Sequence, residues 1–232
     1  MDLVAQKLSR TYFRDVGEAN FFYAIKDIDL EVKEGCFALI LGKSGSGKTT
    51  LLNILSGLLS PTEGKVKLGE TDICSLSDKE RSRFRNAHFG IIPQGQTGLQ
   101  NLTIEENIAL PSMLYQKKEK PCKTLMERLE IAHLSKSYPN EVSGGELRRM
   151  AIARALINDP EVLFADEPTG DLDEENTANV LAILQSLKRE GKIIVMATHD
   201  KDALPYADMV YRMDKGILTP MGQGEAKGDK TT

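Results

Sequence analysis

The chain has 232 residues, of which 41% are hydrophobic and 28% charged, and its formal net charge is −4. This length fits one large α/β domain, or one domain with a helical insertion, and is enough for a sizeable core. The small net charge excludes a general attraction to nucleic acid or anionic lipid, and no apolar run approaches the roughly 20 residues of a membrane-spanning helix.

The N-terminal part is predicted to form strands. Residues 3–8 are predicted to be a first strand. Over residues 23–32 apolar and polar residues alternate, with Ile28, Leu30 and Val32 on one face. This alternation indicates a half-buried strand, antiparallel and at a sheet edge. A turn at Glu34-Gly35 leads into a continuous apolar run over residues 36–41, which predicts a buried strand.

Residues 42–49, here called the phosphate loop, read GKSGSGKT and fit the pattern G-x-x-x-x-G-K-[ST]. The strand before it and a helix predicted over residues 50–55 supply the context that this motif requires, which disfavours a simple Gly/Ser turn. The glycines let backbone N–H groups surround phosphate oxygens, while Lys48 reaches the β- and γ-phosphates and Thr49 binds Mg²⁺. The predicted ATP-binding residues of this segment are Gly42, Lys43, Ser44, Gly45, Ser46, Gly47, Lys48, Thr49 and Thr50.

The middle of the chain changes texture after residue 94. Before it, the pattern predicts a turn at 61–64, strands at 65–68 and 89–92, and a helix at 78–86. Beyond it, Thr103 and Glu106 mark a capped helix start, and helices are predicted over 104–115 and 123–131. We interpret residues 95–157 as a helical insertion. Its lysine cluster at 117–121 is interpreted as a solvated loop and not as a nucleic-acid patch.

The second half alternates helices and strands, which predicts a largely parallel sheet with helices on both faces. Helices are expected over 143–157 and 174–190, and buried strands over 161–167 and 193–197. On the later helix, the core-facing residues are expected to be Thr177, Val180, Leu181, Leu184 and Leu187. Residues 221–232 are rich in Gly and Lys and are predicted to be a disordered tail.

Two acids end the strand at 161–167. Asp166, close to a phosphate loop, can hold the shell of Mg²⁺, and Glu167 can accept a proton from water that attacks the γ-phosphate. The alternative, two solvated acids at a strand end, is disfavoured by the phosphate loop in the same chain.

Four motifs in this order resemble an ABC-type ATPase over about residues 1–218. They are the phosphate loop, Ser143-Gly144-Gly145-Glu146, Asp166-Glu167-Pro168-Thr169 and Thr198-His199-Asp200. The resemblance implies an α/β fold with a phosphate-loop NTPase core, a mostly parallel sheet, an N-terminal antiparallel β subdomain and the inserted helical subdomain. It also implies a single domain over residues 1–220, with the signature segment, defined as residues 142–146, inside the insertion.

The same resemblance implies roles for individual residues. Two subunits dimerise head to tail, so that Ser143, Gly144, Gly145 and Glu146 of one subunit contact the ATP bound by the other. Glu167, His199 and Gln94 are the implied catalytic residues. Thr49, Gln94 and Asp166 are the implied Mg²⁺ ligands, and Asp173 is the aspartate that signals across the dimer. Tyr12 is the implied adenine-stacking residue, with Phe13 and Tyr23 as weaker candidates.

Three positions depart from the common pattern of that family. Val142 replaces leucine, Lys43 replaces a proline frequent in exporters, and Glu146 replaces glutamine. If Glu146 points at phosphate, its charge should weaken closure of the dimer. If it points at solvent or at an arginine such as Arg149, little should change.

A narrower similarity links the chain to the lipoprotein-release, macrolide-efflux and antimicrobial-peptide-exporter subfamily, which also includes the cell-division ATPase. It rests on residues 42–53, on Asn101-Leu102-Thr103 with Glu106-Asn107, and on residues 166–173. It implies a peripheral subunit at the cytoplasmic face of the membrane that uses ATP and Mg²⁺ to power a separate permease, without nucleic acid. Alternatives are a signalling ATPase that moves a membrane partner without transport, an importer subunit, and a soluble repair or translation ATPase.

Overall fold

The computed structural model describes residues 1–13, 21–95, 98–116 and 122–222. Residues 14–20 between the first two strands, the lysine cluster at 117–121 and all but two residues of the predicted tail lie outside these ranges. The strands are β1 Leu3–Phe13, β2 Phe21–Val32, β3 Phe37–Leu41, β4 Glu63–Leu68, β5 Thr71–Asp72, β6 Phe89–Ile92, β7 Val162–Asp166, β8 Ile193–Thr198, β9 Met209–Asp214 and β10 Ile217–Pro220. The α-helices are α1 Lys48–Leu55, α2 Asp78–His88, α3 Ile104–Met113, α4 Cys122–Arg128, α5 Gly144–Leu156 and α6 Glu174–Arg189.

The larger sheet has the strand order β10-β9-β3-β8-β7-β6. All its neighbouring pairs are parallel except β10 with β9, so the prediction of a largely parallel sheet is confirmed. Alternate residues of β3 belong to two separate cores. Phe37 and Leu39 pack with α3, α5 and α6, while Ala38 and Ile40 pack with α1 and the smaller sheet. Burial of both faces explains why β3, β7 and β8 are continuous apolar runs.

The smaller sheet is antiparallel, in the order β2-β1-β4-β5. β2 lies at its edge, as predicted. β1 extends to Phe13, beyond the predicted end at residue 8, because β2 begins at Phe21 and pairs with it. The longer hairpin places aromatic side chains of both strands beside the phosphate loop.

Between β6 and β7 the described elements are all helical. α3 begins after the capping box of Thr103 and Glu106, as predicted, but ends at Met113, because Leu114–Gln116 forms a 3-10 turn with Tyr115 at φ +61°. The side chain of Asn107 is fully buried and bonds to backbone groups of Leu99 and the α3 start. In the described ranges no helix combines the length and apolarity that crossing a bilayer needs.

The C-terminal hairpin of β9 and β10 was not predicted. β9 pairs in parallel with β3, and the turn between β9 and β10 contacts the phosphate loop, where the Gly216 N–H donates to the Ser46 carbonyl at 2.9 Å. A Cβ atom on Gly42 would lie 2.5 Å from the Met213 carbonyl oxygen. The hairpin therefore supports the phosphate loop from one side and explains why position 42 is glycine.

Candidate active site

A cleft of about 980 Å³ opens where the phosphate loop meets the carboxyl ends of β6, β7 and β8, the position at which α/β sheets usually bind ligands. The aromatic hairpin of β1 and β2 forms one wall. The residues that line the cleft include Tyr12, Phe22, Tyr23, Ser44, Gly45, Gly47, Lys48, Thr49, Thr50, Gln94, Arg148, Glu167, Thr169, His199 and Lys215.

The phosphate loop adopts a backbone that only glycine permits at its tightest point. Gly47 has φ +107°, and a Cβ atom there would lie 2.5 Å from the carbonyl oxygen of Ala24. Gly45 has φ +76°, and a Cβ there would meet no atom within 4 Å, so this part of the loop borders open space. α1 begins directly after Gly47, which adds the partial positive charge of a helix N-terminus to the cleft.

Lys48 and Glu167 form a nearly buried ion pair at the floor of the cleft. Lys48 Nζ lies 3.2 Å from Glu167 Oε1, and their side chains are 7% and 10% exposed. Lys48 also donates to the carbonyl oxygens of Gly42 and Lys43, at 2.7 and 3.2 Å. Each of these Lys48 partners is a negatively charged or partially negative oxygen. The oxygens of a nucleotide phosphate have the same character.

The second oxygen of Glu167 is held from the end of β8. Oε2 accepts from Thr198 Oγ1 at 2.8 Å and from His199 Nδ1 at 3.0 Å. Burial alone would raise the pKa of Glu167, but the hydrogen bonds from Thr198, His199 and Lys48 outweigh it and hold this pKa below its usual value. Glu167 is therefore ionised at neutral pH. Its φ of +46° is unusual for a non-glycine residue and marks a strained backbone.

Asp166 has the opposite electrostatic situation. Its Oδ2 accepts from Thr49 Oγ1 at 2.6 Å, but its Oδ1 is buried without a hydrogen-bond partner in the part of the chain described. Burial raises the pKa of Asp166 despite the bond from Thr49. A carboxylate oxygen and a hydroxyl are the ligands that a hard divalent cation prefers. Among the described residues, no group of three or more His, Cys, Asp or Glu side chains has the arrangement to hold a metal ion by itself, so substrate oxygens or water would have to complete the coordination.

The aromatic wall has two stacked rings. Tyr12 and Phe22 have centroids 5.8 Å apart and an interplanar angle of 26°, and the Arg10 guanidinium lies 4.8 Å from the Tyr12 centroid. Tyr23 also lines the cleft. Phe13 is 83% exposed and is not among the residues that line it. Sequence reasoning missed Phe22, although the run of aromatics at residues 21–23 could have indicated it.

Two more contributors were missed. Arg148 of α5 is buried at the cleft and donates to the Pro93 carbonyl at 3.1 Å, next to the exposed Gln94. This bond connects α5, the helix that begins in the signature segment, to the loop that contains Gln94. Thr198 was noted only as part of a motif, yet its hydroxyl orients Glu167. The sequence signal that could have indicated Arg148 and Thr198 is their position beside recognised motifs.

The signature segment does not line this cleft in the described structure. Ser143 caps α5, and both Ser143 and Gly144 are exposed. A Cβ on Gly145 would collide with Asn176 of α6, whose amide donates to both carboxylate oxygens of Asp173. Asp173 in turn caps α6. The predicted dimer-facing residues thus form one connected surface, separate from the cleft of their own chain.

The sequence profile described as "ABC transporter" matches residues 25–170, which is more than half of the chain. The chain belongs to the ABC transporter family. It is 39% identical over 207 residues to the bacitracin export ATP-binding protein BceA of Halalkalibacterium halodurans, covering 87% of this chain and 82% of BceA. It is 37% identical over 221 residues to the lipoprotein-releasing system ATP-binding protein LolD of Alcanivorax borkumensis, covering 93% and 96%.

A solved structure gives the same family relation at the level of the fold. The ABC transporter cassette MJ0796, a dimer in a post-hydrolysis state with ADP and Pi, superposes with a TM-score of 0.86 at 31% identity, covering 94% of this chain and 97% of that one. The predicted family and fold class are therefore confirmed, and this ABC transporter subunit is an ATP-binding ATPase. The roles of the individual site residues and the domain limits stay predictions.

Proposed function

We propose that this ABC transporter subunit is the ATPase of an exporter, which lies on the cytoplasmic face of the membrane as a homodimer and drives separate permease subunits. Its relatives BceA and LolD are named for bacitracin export and lipoprotein release, and the cassette MJ0796 is dimeric. They support a peptide, lipoprotein or other amphipathic substrate for the permease partner of this chain.

The observation that carries the catalytic proposal is the network around Glu167. An arriving triphosphate offers Lys48 the negative charge that Glu167 and the loop carbonyls now supply. Once Lys48 binds phosphate, Glu167 loses its strongest positive neighbour and becomes a better base for the attacking water. Thr198 and His199 keep its Oε2 in place during this exchange.

Other residues position the substrate. Tyr12 and Phe22 stack on adenine, and the loop backbone around Gly45 surrounds the phosphates. Thr49, Asp166 and Gln94 would hold Mg²⁺. The Oδ1 of Asp166, which lacks a hydrogen-bond partner among the described residues, supports this assignment. When bound, the ion would neutralise charge that develops on the transferred phosphoryl group. The signature segment of the partner subunit, which contains Ser143, completes the site.

The test is the Glu167→Gln variant. It should bind ATP and dimerise, but its turnover should fall by at least about 100-fold, because general-base catalysis contributes about that much. Glu161→Gln is the matched control, since Glu161 lies just before β7, at its opposite end, where it bonds to His88. Undiminished turnover in Glu167→Gln would remove Glu167 from the reaction.

An assay of the subunit together with its permease distinguishes the export function from the signalling alternative. The subunit purified with its permease and reconstituted in vesicles should move a peptide or lipid-linked substrate only when ATP is supplied. ATP hydrolysis that changes the conformation of the permease without moving any substrate would favour the signalling alternative.

A further inference from the structure

Three helices of this chain begin with the same capping box. In α2, α3 and α5 the hydroxyl of a Ser or Thr at the N-cap accepts from the backbone N–H of a Glu three residues later. The same Ser or Thr donates its backbone N–H and its hydroxyl to the carboxylate of that Glu. The two donor–acceptor distances are 3.0 and 2.6 Å for Ser77 and Glu80, 2.8 and 3.0 Å for Thr103 and Glu106, and 2.7 and 2.7 Å for Ser143 and Glu146.

The third box lies in the signature segment, where the sequence left two orientations of Glu146 open. The structure shows neither. Glu146 turns back onto Ser143, and its Oε2 accepts both donors of that residue. Its other oxygen lies 3.8 Å from His133 Nε2, and the positive charge of Arg149 is also nearby.

This contact engages the group that the partner's nucleotide needs. A serine hydroxyl has one proton to donate, and that of Ser143 is directed at a carboxylate. The carboxylate also places a full negative charge at the N-terminus of α5, where an anion would otherwise be attracted. Hydrogen bonds from Ser143 lower the pKa of Glu146, so this charge is present at neutral pH.

We infer that Glu146 is a positioning residue whose negative charge, held on the Ser143 hydroxyl in the open subunit, raises the ATP concentration at which the dimer closes. The inference rests on the proposed function, in which Ser143 contacts the ATP of the partner. On closure the γ-phosphate replaces Glu146 as the acceptor of the hydrogen bond from the Ser143 hydroxyl, and the carboxylate moves toward His133, whose Nε2 is already within 4 Å.

Charge and capping can be separated experimentally. Glutamine also forms a capping box, because its amide oxygen still accepts from the N-cap backbone. Glu146→Gln therefore keeps the helix cap and removes the charge. Glu106→Gln makes the same change in the box of α3, whose residues do not line the cleft in the described structure.

The experiment measures dimer formation against ATP concentration, by size exclusion with light scattering, in a Glu167→Gln background with magnesium. Adding Glu146→Gln should lower the half-maximal ATP concentration about tenfold, since one charge beside an incoming phosphate is worth about that factor. Glu106→Gln should leave it within about twofold. Glu146→Ala should also lower the ATP requirement, but it should reduce the melting temperature as well, because the carboxylate half of the capping box is lost.

An ATP requirement that is unchanged or higher in Glu146→Gln would overturn the inference while leaving the proposed function intact. Failure of the Glu167→Gln parent to dimerise at any ATP concentration would overturn the proposed function and the inference together. An equal drop in ATP requirement for Glu146→Gln and Glu106→Gln would also overturn the inference, because it would trace the effect to general charge.

Discussion

Adjacent acids at the end of β7 differ in protonation behaviour because their neighbours differ. Glu167 is surrounded by donors that lower its pKa. Asp166 accepts one hydrogen bond and has one oxygen without a partner among the described residues, and burial raises its pKa. The first arrangement favours the charged state and the second disfavours it. Neighbouring acids whose pKa values are shifted in opposite directions are typical of a site that is organised for a ligand and not for stability.

Replacing Asp166 by Asn should separate function from stability. The amide keeps the bond from Thr49 and removes a poorly solvated charge, so the melting temperature of the nucleotide-free protein should stay unchanged or rise. ATP hydrolysis with magnesium should fall by at least about 100-fold. Asp208→Asn is the control. Both oxygens of the Asp208 carboxylate accept a hydrogen bond, one from the Phe37 N–H and one from Lys188. Removing this charge should therefore lower the free energy of unfolding by about 1 kcal/mol. A clear loss of stability in Asp166→Asn would contradict this account.

The lowered pKa of Glu167 predicts a dependence of stability on pH. Its contribution is fully present above its unfolded value of 4.5 and is lost as the pH falls through the lower folded value. The free energy of unfolding, measured in urea, should therefore fall between about pH 6 and about pH 3.5. This fall should be larger in the single variant Asp166→Asn than in Asp166→Asn with Glu167→Gln. The Asp166→Asn background removes the titration of the neighbouring acid. Equal losses in both proteins would show that the Glu167 contacts do not favour its charged form.

Among the elements, the helical insertion is organised by a buried polar side chain that fastens the start of α3 to the loop before it. Asn107 accepts from the Leu99 N–H at 2.8 Å and donates to the carbonyls of Leu99, Leu102 and Thr103. Asn107→Leu leaves these groups without their partner, so the free energy of unfolding should fall by about 2–4 kcal/mol in a urea titration. Asn140→Ala, at an exposed position, should change it by less than about 0.5 kcal/mol. Comparable small effects in both variants would contradict a structural role for Asn107.

The elements show which features a sequence can predict. The stripe on α6 was predicted residue by residue, because helical periodicity and burial are properties of the segment itself. The length of β1 and the β9–β10 hairpin were missed, because they depend on partners distant in the sequence. The same limit applies to the site. Motifs located Lys48 and Glu167, but the turn of Glu146 onto Ser143 depends on side-chain conformation and was left open.

At the scale of the whole molecule, the cleft and the signature segment lie on separate surfaces of one subunit. The described residues that line the cleft include Arg148 of α5 but none of residues 142–146. The rate per subunit should therefore fall when the protein is diluted below its dimerisation range, and a bulky Ser143→Arg substitution should abolish it. Steady-state hydrolysis over a range of protein concentrations measures this. A rate per subunit that is independent of dilution and of Ser143→Arg would contradict a shared site.

The most direct test of that shared site is complementation between two inactive variants. Lys48→Ala destroys the phosphate loop and Ser143→Arg destroys the signature segment, so neither homodimer retains an intact site. Their mixed dimer retains one intact site, in which the Ser143→Arg subunit supplies the phosphate loop and the Lys48→Ala subunit supplies the signature segment. Mixing the two should restore ATP hydrolysis to about a quarter of the wild-type rate, as expected when half of the dimers are mixed and each has one site. A mixture whose rate never exceeds the sum of the two separate residual rates would contradict the account.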